Sequence, residues 1–267
     1  MAPESGRFHT AALHYLQGRP AYAPALIGRV AQLCGLGPAH RVLDLGCGPG
    51  QLALAFAPLA GQVVGVDPEP EMLRIAREEA GRAGLPIEFG AGSSRDLGPA
   101  LGTFRLAVIG RAFHWMDRED TLRRLDAIIE PAGSVVLFGD DHPQVPDNRW
   151  HEAYDQLIDR YAEGDAERTA RRAPDWPRHE AVLLDSPFHD LERISIIERR
   201  HTPLKRFVDR ALSLSSVSHG LIGARADDLA REVGELMASF ARDGSVAEVV
   251  ESKALIARRG GIDQSSE

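Results

Sequence analysis

From Arg41 to Phe56 the chain reads Arg-Val-Leu-Asp-Leu-Gly-Cys-Gly-Pro-Gly-Gln-Leu-Ala-Leu-Ala-Phe. An apolar run gives way to Gly46, Gly48 and Gly50, and apolar residues then return at helical spacing. That order predicts a buried strand, a sharp glycine turn and a helix. Glycine is required where the backbone must turn tightly and a ligand must approach without a Cβ in the way. The first amides of the helix are expected to face that ligand. Val63-Val64-Gly65-Val66-Asp67 is a second apolar run that ends in a carboxylate. It lies about 20 residues on, the separation at which a second strand presents an acid to ribose hydroxyls.

The alternation continues downstream. Pro68-Glu69-Pro70-Glu71 opens a helix that ends at Gly84, with prolines and acids where a first turn tolerates or favours them. Ile87-Glu88-Phe89 and the run 104–109 read as strands, Asp117 caps a helix, and Pro131-Ala132-Gly133 turns into a fifth strand at 134–138. This predicts an α/β fold with a doubly wound, Rossmann-like, mainly parallel sheet. Helical segments are expected near 148–163 and 176–185, strands at 193–198 and 247–257, and helices at 203–214 and 226–242. The last strand, the seventh, is expected to run antiparallel. An interrupted helical stretch from Phe8 to Cys34 is broken at Pro20, which biases Arg19 toward extended backbone.

We therefore expect one domain. Its parts are an N-terminal helical cap (1–36), a cofactor-binding core (37–139), a helical insertion over the substrate site (140–190), strands and helices completing the sheet (191–259) and a tail (260–267). The cap and the insertion are expected to lie as a lid over the carboxyl ends of the parallel strands.

Composition narrows the function. The 267 residues are 43% hydrophobic and carry a formal net charge of -8, which leaves no electrostatic footprint for nucleic acid and suits small-molecule work. Two cysteines, Cys34 and Cys47, form neither a disulfide framework nor a metal motif. With no apolar leader and no run of about 18 apolar residues, the expectation is a cytoplasmic protein without membrane association or metal. The sequence leaves oligomeric state open.

The run Asp44-x-Gly46-x-Gly48-x-Gly50, with Asp67 beyond it, closely resembles the class I S-adenosylmethionine-dependent methyltransferases. Tyr15-Leu16-Gln17-Gly18-Arg19-Pro20-Ala21-Tyr22 resembles that family's Tyr-x-x-x-Arg-Pro-x-Tyr segment. Ala112-Phe113-His114-Trp115 resembles a segment of its small-molecule subgroup, which includes relatives of trans-aconitate methyltransferase. The resemblance implies S-adenosyl-L-methionine as cofactor and assigns roles. Gly46, Cys47 and Gly48 would line its methionine part, and Asp44 would hold the ammonium or, alternatively, stabilise the following helix. Asp67 would take the ribose hydroxyls. Pro68 and Met72 would pack on adenine, Met72 being equally readable as core. Ser93 and Ser94 fall in the adenine loop, where Ser93 replaces a usual aspartate. Arg19, with Tyr15 beside it, would reach the cofactor carboxylate, or else solvate a helix break.

Arg111 departs from the small or amide residue usual at its position, so it is expected near cofactor and substrate. His114 reads as a general base or substrate ligand, or as a structural imidazole. His142 and His151 are further base candidates, facing the same crevice from beyond strand 5. Arg111, Trp115, Trp150 and Tyr154 are expected around the substrate. The roof over it is expected to bring aromatics (Trp150, Tyr154, Tyr161, Trp176) and arginines (Arg149, Arg160, Arg171, Arg172), which would equally serve as solvated lid surface.

The first functional reading is therefore methyl transfer to oxygen or nitrogen of a small organic acceptor. A nicotinamide-dependent oxidoreductase is disfavoured, because the glycines run G-x-G-x-G without the longer dinucleotide spacing. A silent cofactor-binding regulator or scaffold stays open, since binding and turnover use different residues.

Overall fold

The computed structural model describes residues 12–260. Phe8 and the stretches 1–11 and 261–267 lie outside the described residues, including the leading tail and most of the trailing one expected above. Within the described residues the strands are β1 (Arg41–Leu45), β2 (Gln62–Asp67), β3 (Ile87–Ala91), β4 (Phe104–Gly110), β5 (Ile129–Asp141), β6 (Asp190–Pro203) and β7 (Ser245–Arg258). The helices before β5 are α1 (Ala12–Gly18), α2 (Pro24–Leu33), α3 (Gln51–Phe56), α4 (Pro70–Ala83) and α5 (Arg118–Asp126). Those after it are α6 (His151–Tyr161), α7 (Ala166–Arg172), α8 (His179–Leu184), α9 (Leu204–Leu212), α10 (His219–Ile222) and α11 (Arg225–Ala238).

All seven strands form one sheet in the order β3-β2-β1-β4-β5-β7-β6. The pairs β3-β2-β1-β4-β5 are parallel, and β7 runs antiparallel to both β5 and β6. The expected sheet with its reversed last strand is what the chain forms. The strands are continuous apolar runs because helices cover both faces. Val42, Leu106, Val136 and Ile256 face α2 and α3, while Leu43, Ala107, Val135 and Ala257 face α5 and α8. The order of β1 and β4 at the centre creates the switch point beside which open α/β sheets bind ligands.

Two local expectations are corrected. Pro131-Ala132-Gly133 does not end a helix and begin a strand; β5 already starts at Ile129, and the register with β4 shifts between Phe104 and Leu106. A bulge adds residues to one strand without breaking it. The 140–190 stretch also divides. Helix α6 leaves the sheet and joins α9 and α11 in a separate apolar core, in which Trp150, Tyr154, Phe207, Val233 and Met237 are buried. Only α7 and α8 stay near the strand ends, with α8 packed on α5 and β6.

Helix α1 sits between α4 and α9. Ala12 packs with Met72 and Ile75 of α4, and Tyr15 and Leu16 lie against that cluster. On the other side Gly18 touches α9 so closely that a Cβ there would lie 2.3 Å from the Arg210 nitrogen and 2.4 Å from the Asp209 carbonyl carbon. Glycine is needed at this crossing for contact, since neither neighbour is a flexible side chain. Among the described residues no helix is long and apolar enough to cross a membrane. Replacing Gly18 with alanine should cost about 1–3 kcal/mol, the usual range for overpacking. A urea unfolding midpoint unchanged from wild type would show that α1 reseats without strain.

Candidate functional site

The glycine turn follows β1 directly. Gly46, Gly48 and Gly50 adopt φ of 67°, 50° and 83°, the left-handed region that only glycine occupies freely. The turn's own amides point inward, and of the first helical amides expected to face a ligand, that of Ala53 goes to Asp44. Gly46 and Cys47 both donate to the Val66 carbonyl, at 2.8 and 3.1 Å, and Gly48 donates to Asp67 Oδ2 at 2.8 Å. The end of β2 therefore consumes the turn's donors, leaving carbonyls and carboxylates as its polar groups. A pyrophosphate needs free amides at such a turn. This one suits a ligand that brings donors and positive charge.

Asp44 lies inside this turn and is 1% exposed. Its Oδ2 accepts the Ala53 amide at 2.8 Å, so the helix-stabilising role is real. Burial, with Asp67 nearby, nonetheless pushes its carboxyl up to about 7, against the pull of the Ala53 bond. Asp67 ends β2, and its two oxygens accept the amides of Gly48 and Glu69 at 2.8 and 2.9 Å. Burial also raises Asp67. Met72 is buried in the cluster under α1, while Pro68 is exposed. Ser93 caps a short turn: its hydroxyl donates to Asp96 Oδ2 at 2.8 Å and accepts from the Arg95 amide, and Ser94 behind it is buried.

A cavity of about 530 Å³ opens beyond this turn: its wall residue Arg111 donates to Gln51, while Asp44, Gly46, Cys47, Gly48 and Asp67 do not line it. Its floor is the α5/α8 face of the sheet, where Leu137, Gly139, Arg193, Lys253 and Leu255 come from β5, β6 and β7. Tyr15 and Arg19 border it from the N-terminal side, Arg111, His114 and Trp115 from beyond β4, and Arg168, Arg171, His179 and Glu180 from α7 and α8. Arginine and lysine supply six of the lining side chains (Arg19, Arg111, Arg168, Arg171, Arg193, Lys253) against two carboxylates, Asp140 and Glu180. The whole chain has the opposite balance, 31 basic against 39 acidic residues. The positive lining is thus a local arrangement. Several cations hold partners: Arg168 with Asp159 at 2.7 Å, Lys253 with Asp141 at 2.9 Å, and Arg193 with Glu180.

His114 sits in a 3-10 turn (Phe113–Trp115) and its ring is tilted against Trp115 at 5.0 Å. Burial, then the charge of Arg171 and further cationic neighbours, pushes its pKa down to about 3, so the imidazole is neutral at neutral pH. Arg171 lies over the Trp115 ring at 4.3 Å from its centroid. Of the four roof arginines expected, only Arg171 lines the cavity; Arg149 lies over Phe240, Arg160 pairs with Glu232 and Arg172 with Asp159.

Other expected site residues are placed elsewhere. Trp150 and Tyr154 do not line the cavity; both are buried in the α6/α9/α11 core, with the Tyr154 hydroxyl donating to the Phe207 carbonyl at 2.9 Å. Apolar area and amphipathic spacing put them there, because α6 needs a buried face of its own. His142 is not in the cavity either. Its Nε2 lies 3.2 Å from Glu248 Oε2, in a buried network in which Arg210 also donates to both Glu248 oxygens at 2.9 and 3.1 Å. Thr202 donates to the same carboxylate at 2.5 Å. Burial opposes the charge on Glu248, and bonds from His142, Arg210 and Thr202 overcome it, holding the carboxyl well below its usual range. The His151 ring is tilted against that of His142, their centroids 4.8 Å apart. Arg111 lines the cavity, but all three of its guanidinium nitrogens have protein acceptors: Asp140, the Gln51 side chain at 3.2 Å and the Pro20 carbonyl at 2.8 Å.

Sequence reasoning missed His179, Arg193, Lys253 and the Ser215–Ser216 pair as lining residues. His179 Nδ1 lies 3.4 Å from Arg118 Nη1. Arginine can only donate, so Nδ1 accepts and the neutral ring carries its proton on Nε2. No local sequence signal marks these residues, since β6, β7 and α8 reach the cavity only through the sheet order.

A family profile described as "Methyltransferase domain" matches residues 42–133. An uncharacterized methyltransferase of Mycobacterium tuberculosis is 26% identical over 211 residues, covering 78% of this chain and 76% of the relative. Among solved structures, a proposed type II methyltransferase from Anaeromyxobacter dehalogenans superposes with a TM-score of 0.57 at 25% identity, covering 90% of this chain and 97% of that one. A methyltransferase from Thiobacillus denitrificans, in complex with S-adenosyl-L-homocysteine, gives 0.56 at 16% identity over 97% and 100% of the two chains. The last likeness speaks for the fold.

The buried Glu248 network makes its own prediction. Glu248→Ala leaves Arg210 charged and buried without its carboxylate, which should cost about 3–5 kcal/mol. Denaturant titration showing a loss below about 1 kcal/mol would mean that water reaches and solvates this site, as at an exposed pair.

Proposed function

Because the chain belongs to the class I S-adenosylmethionine-dependent methyltransferases and is an enzyme that uses S-adenosylmethionine, we propose that it methylates oxygen or nitrogen of a small organic acceptor carrying an anionic group. The observation that carries this reading is the cation-rich cavity of about 530 Å³ beyond the glycine turn. Its size lies within the roughly 300–1,000 Å³ of small-ligand sites. Arg171 over Trp115 pairs a planar cation with aromatic area, a combination that suits a planar acceptor with a carboxylate or phenolate.

The cradle's chemistry fits the cofactor. Asp44 is a buried carboxylate without a cationic partner among the described residues, and its raised pKa marks a place where an ammonium would be welcome. Arg19 Nε is buried without a hydrogen-bond partner among the described residues and borders the cavity, which suits a carboxylate. Asp67 would receive the ribose hydroxyls, with Gly46, Cys47 and Gly48 along the methionine part. Tyr15 would lie beside the carboxylate, and Pro68, Met72, Ser93 and Ser94 around the adenine. Bound S-adenosylmethionine supplies an activated methyl group that an aligned nucleophile displaces in line.

This chain then needs to align the acceptor and exclude water. A neutral His114 can accept a hydrogen bond from the acceptor, but a base of pKa about 3 does not deprotonate an alcohol. An acceptor that arrives as an anion needs no base. His179, with its proton on Nε2, can donate to such a group.

Asp44 gives the cofactor assignment a pH signature. Its folded pKa is raised to about 7, so below pH 7 it is protonated and must lose that proton to pair with an ammonium. Affinity for S-adenosylmethionine should therefore rise with pH by up to about tenfold per unit below pH 7, and level off above it. Asp44→Asn should bind more weakly at pH 8 and lose this slope, as read by calorimetry from pH 5.5 to 8.5. Parallel curves for the two proteins would remove Asp44 from the ammonium site.

The acceptor reading is tested by following formation of S-adenosylhomocysteine across matched small acids, phenols and their neutral amide or ether analogues. Turnover should be confined to the anionic members, and Arg171→Ala should raise the acceptor KM about 10-fold or more, as for loss of a charged hydrogen bond. Equal turnover of neutral analogues would overturn the anionic class.

A further inference from the structure

We infer that Arg111 is a positioning residue: it pins the Gly18–Tyr22 strap and thereby aims Arg19 at the carboxylate of the cofactor. This rests on the reading that Arg19 meets that carboxylate.

The strap runs from the last residue of α1 through a bend at Arg19 to α2, with Arg19 at the cavity rim. Outside the helices, its backbone bond within the described residues is the Arg19 amide on the Tyr15 carbonyl at 3.0 Å. Its carbonyls are instead held by arginines from distant parts of the chain. Arg210 Nε donates to Gly18 at 3.2 Å, Arg111 Nη2 to Pro20 at 2.8 Å and Arg200 Nη2 to Ala21 at 3.1 Å. The carbonyls on either side of Arg19 are thus fixed, and its side chain is what remains to move. Arg19 lies 5.4 Å from the Tyr15 ring, with its buried Nε unpartnered among the described residues.

Arg111 is the pin nearest the cofactor cradle. Besides Pro20 it donates to Gln51, the first residue of α3 after the glycine turn, and to Asp140 at the end of β5. Its guanidinium also lies over the Tyr22 ring at 4.5 Å. One planar group so joins the strap, the helix behind the glycine turn and the central sheet. Burial alone would push the Asp140 carboxyl up; the charge of Arg111, then that of Arg19, with the Arg111 bond, overcome this and hold it below its usual range. The arrangement is strong enough to keep Arg111 at φ 56°, a left-handed conformation that a long side chain rarely adopts. Strained backbone persists where surrounding contacts over-determine it, commonly at ligand clamps. Lysine cannot replace this fork, since a point charge on a flexible stem does not serve three acceptors in one plane.

The test compares two ligands that differ in the amino-acid tail, whose carboxylate Arg19 would touch. S-adenosylhomocysteine carries the amino-acid group and 5′-methylthioadenosine lacks it. Both are titrated by calorimetry into wild type, Arg19→Ala, Arg111→Lys, Asp140→Asn and the Arg19→Ala/Arg111→Lys double variant, each first checked by urea unfolding. The single variants at 111 and 140 should weaken S-adenosylhomocysteine about 5- to 30-fold and leave 5′-methylthioadenosine within about twofold, the loss expected when a charged hydrogen bond is misplaced. The double variant should match Arg19→Ala within about twofold, because the two residues act as one unit. Parallel weakening of both ligands, or additive losses in the double variant, would overturn the inference and leave Arg111 a general support of the fold. Unchanged binding of S-adenosylhomocysteine by Arg19→Ala would overturn the carboxylate reading itself, and the inference with it.

Discussion

Much of this molecule depends on how the end of β2 closes the turn after β1. The Val66 carbonyl takes two amides of the glycine turn and Asp67 takes a third. Those bonds are possible only because β1 and β2 pair in parallel, with Leu45 opposite Val66, so that the turn and the end of β2 stand side by side. The consequence is chemical as much as structural. A turn stripped of free donors, with Asp44 and Asp67 behind it, presents negative character. The same backbone motif with free amides would favour phosphate. The choice between a dinucleotide and a positively charged cofactor is made by where three hydrogen bonds go.

The opposite polarity on the neighbouring side follows from what the sheet brings together. Beyond β5 the sheet continues with the reversed β7 and then β6, which add Lys253 and Arg193 to the floor of the cavity. An acidic chain thus builds a basic pocket against an acidic cradle. A cofactor that carries both an ammonium and a carboxylate can satisfy both walls.

Legibility in the sequence followed the range of the interactions. β1, the turn, β2 and α4 are local patterns of period, glycine and proline, and Asp44, Gly46 to Gly50 and Asp67 could be named from them. The reversed β7 could be expected from an alternating run at the end of the chain. Trp150, Tyr154 and His142 could not be placed, because nothing local shows whether α6 covers the sheet or founds a core of its own. What settles it is the partner face on α9 and α11, which supplies Phe207, Val233 and Met237. The support that Arg111 gives was hidden for a related reason. Its partners Pro20, Gln51 and Asp140 lie 91, 60 and 29 residues away, and an arginine whose acceptors are hidden reads as one awaiting a ligand.

The arginines show how such a chain separates support from recognition. Arg210 is 8% exposed and meets Glu248; Arg111 meets Asp140; Arg200 meets Glu198 at 2.8 Å. Each donor to the strap is thereby neutralised by its own carboxylate. The first two pairs are largely buried, and such a pair adds little net stability over apolar packing, but it is costly to break on one side. Its effect is therefore directional: it fixes where the carbonyls of Gly18, Pro20 and Ala21 sit and resists any alternative. Arg19, standing between two of those pinned carbonyls, has no ion pair to a carboxylate among the described residues. With the carbonyls on both sides of it fixed, Arg19 is held at the cavity rim, where its charge and that of Arg111 both act on Asp140.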